Sequence, residues 1–241
     1  MNLQKPVAEP NGFVKTLNNM GYMTSTSDSF TDDFVEFSRT ASKPVLDIGA
    51  AYGIATKKAL YGGAKVIAND IDGRHLEILY NEVSEDEKSR LTLLPGDLNL
   101  LNIAESSVSA VLVCRVLHFF SGPQIETVAK KIYNWLDVGG RVFIVAETPY
   151  LKNFQNFIPI YENRISKNEA WPGYIDDVMS VAPERGAFLP KQMHLLDPEV
   201  LRRVFEGSGF KTVKCHTIAR TDFPEDIQFD GRESVGYIGE K

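Results

Sequence analysis

Short apolar runs rich in β-branched residues recur from Pro44 onward, and helical patterns separate them. Each run is apolar along nearly its whole length, which is typical of strands that are covered by helices on both faces. The alternation predicts an α/β fold built on a doubly wound, mostly parallel sheet. The first five predicted strands are Pro44–Ile48, Ala64–Ala68, Leu91–Leu94, Ala110–Cys114 and Arg141–Ala146.

Two helices toward the C-terminus carry clear boundary signals. Gln124–Trp135 places apolar residues on one face, and Gly139-Gly140 is the predicted stop signal before the fifth strand. Asp197-Pro198 combines a capping residue with proline at the first helical position, which predicts a final helix that ends near Gly207. Phe210–Ile218 and Glu233–Gly239 follow as strands that we expect to pair as an antiparallel hairpin, which brings the sheet to seven strands.

Two regions do not fit the strand–helix alternation. Residues 1–43 are predicted to form an N-terminal helical cap, because Phe30, Phe34 and Phe37 recur at helical spacing. Residues 148–195 form an insertion with its own aromatic residues, and insertions of this length are often lids or binding loops. The prediction is therefore one domain over residues 1–241, with the core sheet in 44–147 and 196–241. The aromatic residues of the insertion are more typical of a small core beneath a lid than of a substrate-binding box, although both can hold together; they are Phe154, Phe157, Tyr161, Trp171, Tyr174 and Phe188.

Composition narrows the class of protein. The 26 basic residues against 32 acidic residues give a net charge of −6, which disfavours nucleic acid and anionic membranes as partners. Met1–Gly12 lacks an apolar signal segment, and Val108–Phe120 is too short to span a membrane. Cys114 and Cys215 are interpreted as reduced core residues, so we expect a cytoplasmic location. The four histidines lack metal-binding spacing, and no metal is expected; they are His75, His118, His194 and His216.

The segment from Val45 to Thr56 is a predicted strand that runs into a turn of small residues and then a helix. Such a turn lets backbone N–H groups approach a ligand closely, at the positive end of the following helix. Asp70, at the end of the second predicted strand, is placed to accept hydrogen bonds from ribose hydroxyls. The pair indicates an adenosine-containing cofactor, although a turn of this kind is also typical of a simple tight connection.

The glycine spacing distinguishes between cofactors. Gly49 and Gly53 form G-x-x-x-G, whereas dinucleotide-binding turns carry G-x-G-x-x-G. Asp47–Gly53 resembles the D/E-x-G-x-G-x-G motif of class I S-adenosylmethionine-dependent methyltransferases, and the resemblance extends from about Val45 to Gly239. Four further segments match the family in order, namely Ala68–Asp72, Pro95–Leu98, Cys114–His118 and Leu136–Val142.

The resemblance implies a set of cofactor contacts. Asp47 would shape the loop near the methionine, and Asp70 would bind the ribose. Asp97 would bind the adenine amino group, with Ile71 and Leu98 packed against the ring. The remaining implied cofactor residues are Gly49, Ala50, Ala51, Gly53, Gly96, Cys114 and Arg115. The middle glycine of the family is Ala51 here, and Asp70 and Asp97 are each also typical of strand-end turn formers.

The expected activity is transfer of a methyl group to a small or medium-sized, partly apolar acceptor, with S-adenosylhomocysteine as the product. An in-line displacement needs no obligatory catalytic motif. Candidate catalytic residues are His118, Glu147, Tyr150 and His194, with Tyr161 and Tyr174 as further candidates. His118 is also typical of a structural or cofactor-adjacent residue, Glu147 of a residue that caps the insertion, and His194 of a solvated loop histidine. Two other functions remain: a nicotinamide-dependent oxidoreductase, and a non-catalytic module that binds S-adenosylmethionine. The acceptor's identity and the oligomeric state stay open.

Overall fold

A central sheet of seven strands organises the computed structural model, which describes residues 3–9, 12–186 and 189–241. The sheet order is β6-β7-β5-β4-β1-β2-β3, with β7 antiparallel to both of its neighbours and the other pairs parallel. This arrangement confirms the predicted fold class and the C-terminal hairpin. The strands are β1 (Val45–Ile48), β2 (Val66–Asp70), β3 (Leu91–Pro95), β4 (Val108–Cys114), β5 (Leu136–Glu147), β6 (Lys211–Ile218) and β7 (Ser234–Glu240).

The chain order creates a crevice in the sheet. From β1 the chain winds outward through β2 to β3, and it then crosses back to β4 on the other side of β1. Because these strands are parallel, their carboxyl ends meet at one edge, and the crevice outside that edge is where ligands bind in open α/β sheets. Residues 108–113 of β4 are fully buried, as expected for the strand beside this switch point.

Helices cover both faces of the sheet. On one face Phe34 of α1 and Leu60 of α2 pack with Leu79 of α3 in one hydrophobic cluster. On the other face Ile132 of α5 and Phe205 of α9 belong to a second cluster. The helices are α1 (Ser29–Ser38), α2 (Ile54–Tyr61), α3 (Gly73–Glu82), α4 (Glu85–Lys88), α5 (Gly122–Trp135), α6 (Ile158–Ser166), α7 (Val178–Val181), α8 (Pro183–Gly186) and α9 (Pro198–Gly207).

The predicted stop signal Gly139-Gly140 lies in a different element from the one expected. Helix α5 ends at Trp135, and both glycines belong to the first part of β5. Gly139 adopts a φ of +78° and donates its N–H to the carbonyl of Lys241. A side chain at Gly140 would come within 2.9 Å of the Asp137 carbonyl oxygen. The glycines therefore allow an irregular strand start rather than a helix end.

Residues before β1 contain one helix and a short ribbon among those that the structure describes. Helix α1 packs on the sheet instead of capping it, since Phe34 lies in the cluster with Phe143 of β5. Ahead of α1, Val14–Lys15 pairs with Tyr22–Met23 in an antiparallel ribbon, and we call residues 14–23 the roof ribbon. The helical cap predicted for residues 1–43 is therefore partly replaced by strand structure.

The insertion between β5 and α9 forms a cover with its own core. Its helices α6 to α8 and a two-stranded ribbon, Tyr174–Ile175 with Met193–His194, enclose Phe154, Phe157 and Tyr161. Phe13 from ahead of the roof ribbon and Phe223 from the β6–β7 loop join this cluster. Phe154, Phe157 and Tyr161 thus belong to a small core, whereas Trp171 packs against the cluster that holds α5 and α9, and Phe188 lies outside the described residues. No described helix is long and apolar enough to cross a membrane.

Candidate cofactor site

A cavity of about 490 Å³ opens at the carboxyl ends of the parallel strands, between the sheet and the cover. Its size falls in the range of small-molecule and cofactor sites. Five predicted residues are not among the described residues that line it, namely Gly53, Tyr150, Tyr161, Tyr174 and His194. The predicted residues that do line it are Asp47, Gly49, Ala50, Ala51, Asp70, Ile71, Gly96, Asp97, Leu98, Cys114, Arg115, His118 and Glu147.

The turn after β1 needs left-handed backbone at three positions. Gly49, Ala51 and Gly53 have φ values of +69°, +46° and +75°. A side chain at Gly53 would overlap the buried methyl groups of Leu79, so glycine is required there on steric grounds as well. Ala51 holds a conformation that L-residues rarely adopt. The turn delivers the chain into α2 at Ile54, which aims the amino end of that helix at the cavity.

Asp70 is held rigidly at the end of β2. Its Oδ2 accepts a hydrogen bond from the Ala51 N–H at 2.9 Å, and its Oδ1 accepts one from the Asp72 N–H at 2.9 Å. Nδ1 of His75 lies 3.0 Å from the same Oδ1. Both the ribose-binding role and the alternative turn-forming role are compatible with this geometry, because a carboxylate has about four acceptor positions and three are used.

Asp47 lies beneath the turn. Its Oδ2 accepts a hydrogen bond from the hydroxyl of Thr56, the third residue of α2, at 2.6 Å. Burial raises the pKa of Asp47 to about 6, and the nearby Asp70 charge acts in the same direction. The carboxylate therefore fixes the start of α2 against β1 and adds negative charge below the cavity.

Asp97 and Ile71 form the outer wall of the same end. Oδ1 of Asp97 accepts hydrogen bonds from the backbone and side-chain amides of Asn99 at 2.9 and 3.0 Å. Its Oδ2 has no partner among the described residues and can accept from an exocyclic amino group. Ile71 is 57% exposed although it is large and apolar. Together with the buried Leu98, these groups offer one polar and two apolar contacts to a flat ring.

Residues after β4 and β5 meet beside the methionine position implied by the family resemblance. Arg115 has a φ of +56°, and its Nη2 donates to the Thr24 hydroxyl at 3.1 Å. Its Nε lies 3.3 Å from Oε1 of Glu147, whose Oε2 accepts from the Ser234 hydroxyl at 2.7 Å. Burial raises the pKa of Cys114 to about 12, so this cysteine is a neutral thiol. The charge of Arg115 is thus already paired with Glu147 within the protein.

His118 is the candidate base that lies in the cavity wall. Its Nδ1 is buried without a hydrogen-bond partner among the described residues. Burial, reinforced by the charge of Arg115, lowers the pKa of His118 to about 3. The ring is therefore neutral near pH 7 and offers a nitrogen for hydrogen bonding rather than a strong proton acceptor.

Tyr150 and His194 lie away from the cavity, which argues against their predicted catalytic roles. The Tyr150 ring stacks beneath the Arg232 guanidinium at 3.4 Å. His194 is 1% exposed, and its Nδ1 donates to the Phe120 carbonyl at 3.2 Å. Trp171 packs edge-on against its ring. Both side chains are consumed by packing of the cover, which sequence spacing could not show.

The two further tyrosine candidates also serve the cover. The Tyr161 hydroxyl donates to Oδ2 of Asp197 at 2.8 Å, and burial raises the pKa of Tyr161 strongly. Tyr174 lies in the short ribbon, edge-on to His194. Neither is among the described cavity-lining residues, and Tyr161 instead ties α6 to the start of α9.

His75 is a site residue that the sequence interpretation passed over. It follows Asp70 by five positions, so the first turn of α3 brings its ring back to the carboxylate. The sequence signal for this contact is a histidine five positions after an aspartate that ends a predicted strand. The described residues contain no group of three or more His, Cys, Asp or Glu side chains able to hold a metal ion.

Known proteins share this architecture. A family model described as a methyltransferase domain matches residues 45–140. An S-adenosylmethionine-dependent methyltransferase from Mesorhizobium loti is 14% identical, with a TM-score of 0.63 over 88% of this chain and 95% of its own. One from Archaeoglobus fulgidus is also 14% identical, with a TM-score of 0.59 over 87% and 90%.

A third similar structure carries a ligand. The glycopeptide N-methyltransferase MtfA, solved with S-adenosyl-L-homocysteine, is 16% identical, with a TM-score of 0.58 over 89% of this chain and 90% of its own. No curated protein sequence matches this chain at a significant level. Residues 45–140 of this chain therefore match a methyltransferase domain, and the chain shares the fold of S-adenosylmethionine-dependent methyltransferases of known structure.

Proposed function

We propose that this protein transfers a methyl group from S-adenosylmethionine to a small or medium-sized, partly apolar acceptor. The observation that carries the proposal is one cavity with two different ends. The cofactor end is formed by the turn after β1 and by Asp70 and Asp97. The acceptor end is formed by the roof ribbon, the insertion and the β6–β7 loop, so a cofactor and an acceptor can meet inside one enclosure.

The cofactor end fits S-adenosylmethionine by its chemistry. Asp70 retains acceptor capacity for a ribose hydroxyl, and Oδ2 of Asp97 is available for the adenine amino group. The exposed Ile71 offers an apolar face to the ring. The remaining proposed contacts are those of the turn and of the β3 and β4 ends, namely Asp47, Gly49, Ala50, Ala51, Gly96, Leu98, Cys114 and Arg115. Gly53 supports the turn sterically instead.

The acceptor end favours an apolar body with a hydrogen-bond donor. Nδ1 of His118 and Oδ1 of Asn153 belong to cavity-lining residues and are buried without partners in the described part of the chain. Such atoms cost about 1–3 kcal/mol each when left unpaired, so an acceptor O–H or N–H group that pairs with them is stabilised. The apolar residues of this end are Phe13, Met20, Met23, Leu151, Phe154, Leu189, Met193, Phe223 and Ile227.

Charge in the cavity disfavours anionic acceptors. Among the described lining residues, Arg115 is the one lysine or arginine, and it is paired with Glu147. The negative potential of clustered carboxylates attracts cations and repels anions. The acidic lining residues are Glu9, Asp28, Asp47, Asp70, Asp97, Glu147 and Glu184. A neutral or amine acceptor is therefore expected to bind better than a carboxylate of the same shape.

The mechanism depends on position and exclusion of water. When bound, S-adenosylmethionine supplies a methyl group on a positively charged sulfur and is converted to S-adenosylhomocysteine. Arg115 and Glu147 fix the wall beside the reacting centre, and the cover keeps solvent away from it. His118 accepts a hydrogen bond from the acceptor and orients it, while its low pKa makes it a weak proton acceptor.

Isothermal titration with S-adenosylmethionine and S-adenosylhomocysteine tests the cofactor half. Binding in the micromolar range is expected for both, with none for NAD(H), which the glycine spacing disfavours. Failure of folded protein to bind either sulfur compound would overturn the proposal. Weak turnover of every acceptor despite tight binding would instead favour the non-catalytic module.

Release of S-adenosylhomocysteine in the presence of three matched compounds tests the acceptor half. The probes are 3-phenylpropylamine, 3-phenylpropanol and 3-phenylpropionate, which differ only in the terminal group. We expect the amine and the alcohol to compete for the acceptor end or to be methylated, and the carboxylate to do neither. A preference for the carboxylate would refute the electrostatic part of the proposal.

A further inference from the structure

We propose that His75 is a positioning residue that couples the Asp70 carboxylate to the roof ribbon. Cofactor binding at Asp70 then stabilises the roof ribbon over the acceptor end. The inference rests on the proposed function, because it takes Asp70 as the ribose contact. It adds a residue and a direction of coupling that neither the family match nor the motif comparison assigns.

Both ring nitrogens of His75 have defined partners. The ring is 1% exposed, and Nε2 accepts a hydrogen bond from the backbone N–H of Leu17 at 2.9 Å. Because a backbone N–H only donates, Nε2 must carry the lone pair, and the proton of the neutral ring lies on Nδ1. Nδ1 therefore donates to Oδ1 of Asp70 at 3.0 Å. The His75 imidazole thus connects the Asp70 carboxylate directly to Leu17, in the turn of the roof ribbon.

Other contacts from the cofactor end hold the same ribbon. Nη2 of Arg74, the neighbour of His75, donates to the Leu17 carbonyl at 3.1 Å. The hydroxyl of Tyr52, from the turn after β1, donates to the Lys15 carbonyl at 2.9 Å, and its ring packs edge-on against His75. Three hydrogen bonds to the ribbon thus come from the two elements that flank the proposed ribose position.

The ribbon continues from this anchor to the acceptor end. Its residues Met20, Tyr22 and Met23 line the cavity, and Thr24 just beyond it accepts a hydrogen bond from Arg115. A ribose hydroxyl that donates to Asp70 adds a hydrogen bond to a carboxylate that His75 and two backbone N–H groups hold in place, so the cofactor and His75 stabilise the same carboxylate position. Coupling free energy is reciprocal, so the anchored ribbon strengthens cofactor binding by the same factor by which the cofactor strengthens the anchor. The cofactor is then expected to bind before the acceptor.

Two substitutions separate the two hydrogen bonds. In His75→Asn the shorter amide reaches the Nδ1 position and keeps donation to Asp70, but it loses the acceptor for Leu17. In His75→Gln the longer amide reaches the Nε2 position and keeps the acceptor for Leu17, but it loses donation to Asp70. A merely structural role for His75 would make the two variants fail alike.

The experiment measures S-adenosylhomocysteine affinity by titration and amide exchange of residues 12–24 by mass spectrometry, with and without 1 mM S-adenosylhomocysteine, a concentration about three orders of magnitude above a micromolar Kd. Wild type is expected to show slower exchange of these residues with ligand. His75→Gln should lose about 10-fold in affinity, the scale of one hydrogen bond to a charged group. His75→Asn should lose about 3-fold or less in affinity but most of the ligand-induced protection.

Tyr52→Phe provides a variant that leaves His75 intact and removes the Lys15 contact. It is expected to reduce both the protection and, by reciprocity, the affinity by about 2- to 3-fold. Unchanged exchange in liganded wild type, or equal losses in the two His75 variants, would overturn the coupling. If wild type binds no S-adenosylhomocysteine at all, the proposed function fails instead, and the two failures are thereby distinguished.

Discussion

The two ends of the cavity are built on opposite principles. At the cofactor end, Asp47 and Asp70 lie on strand ends of the central sheet, and their oxygens are engaged by Thr56, Ala51 and neighbouring amides. At the acceptor end, three segments far apart in the chain supply apolar side chains, and buried polar atoms of His118 and Asn153 have no partners in the described structure. Most polar groups of the cofactor end are therefore paired within the protein, whereas the buried polar atoms of the acceptor end are left for a bound molecule to pair.

Under the proposed function, the difference predicts that acceptor specificity resides at the acceptor end. Groups held by strands and by internal hydrogen bonds keep one geometry, which suits a cofactor that does not vary. Loops and short helices can change in sequence without disturbing the sheet, and function often resides on them for that reason. Substitutions at the cofactor end should therefore cost stability and binding together, while those at the acceptor end should separate the two.

The largest effect is expected from Asp70→Ala compared with Asp97→Ala. Removal of the Asp70 carboxylate leaves the N–H groups of Ala51 and Asp72 and the His75 ring without their acceptor. Buried donors left unpaired cost about 1–3 kcal/mol each, with some relief from water that enters the cavity, so the free energy of unfolding should fall by about 2–4 kcal/mol. Affinity for S-adenosylhomocysteine should fall more than about 10-fold by the same reasoning.

Asp97→Ala provides the matched control at the same end. Its carboxylate is only partly buried and engages Asn99 alone among the described residues, so stability should change by about 1 kcal/mol or less. Affinity should still fall several-fold. Denaturant unfolding and titration measure both quantities. Equal stability losses in the two variants would show that Asp70 is no more integrated into the fold than Asp97.

A smaller effect is expected at the cover, from His194→Asn as a function of pH. Burial lowers the pKa of His194 to about 4, from 6.5 in the unfolded chain. Above pH 6.5 both states are unprotonated, and the neutral ring contributes its full packing. Below that pH His194 binds a proton in the unfolded state but not in the folded state. The free energy of unfolding therefore falls by up to about 1.4 kcal/mol per pH unit until about pH 4.

His194→Asn should remove that dependence and give a shallower stability curve between pH 6.5 and 4. Asp47 acts with the opposite sign, because its raised pKa of about 6 adds stability as the pH falls. It is present in both proteins and cancels in the difference. Met193→Leu, in the same short ribbon, disturbs packing without removing a titratable group and should run parallel to wild type. Parallel curves of unfolding free energy against pH for wild type and His194→Asn would contradict a lowered pKa of His194 in the folded protein.

The same division explains how much the sequence could predict. The seven strands and the positions of Asp47, Asp70 and Asp97 follow from local patterns, since continuous apolar runs, their alternation with helical segments and the order of the motifs determine the sheet edge. The roof ribbon and the burial of His194 do not, because they depend on Trp171, Phe120 and other residues that are distant in the chain. The prediction of a helix end at Gly139-Gly140 is wrong because glycine alone does not distinguish a helix stop from an irregular strand start.

The smallest expected effect concerns the turn itself and distinguishes two adjacent alanines. Ala51 has a φ of +46°, whereas Ala50 is not among the positive-φ residues. A left-handed conformation costs an L-residue about 1–2 kcal/mol, while glycine adds about 0.5–1 kcal/mol of unfolded-state entropy. Ala51→Gly should therefore stabilise the protein by about 0.5–1 kcal/mol, and Ala50→Gly should destabilise it by a similar amount. Denaturant unfolding of the two variants measures the signs of these stability changes directly.

Ala51→Gly also tests what the methyl group of Ala51 does. Because the backbone N–H that donates to Asp70 is kept in glycine, S-adenosylhomocysteine affinity should be retained in Ala51→Gly. A loss of affinity there would mean that the methyl group of Ala51, rather than the turn backbone alone, shapes the cofactor end.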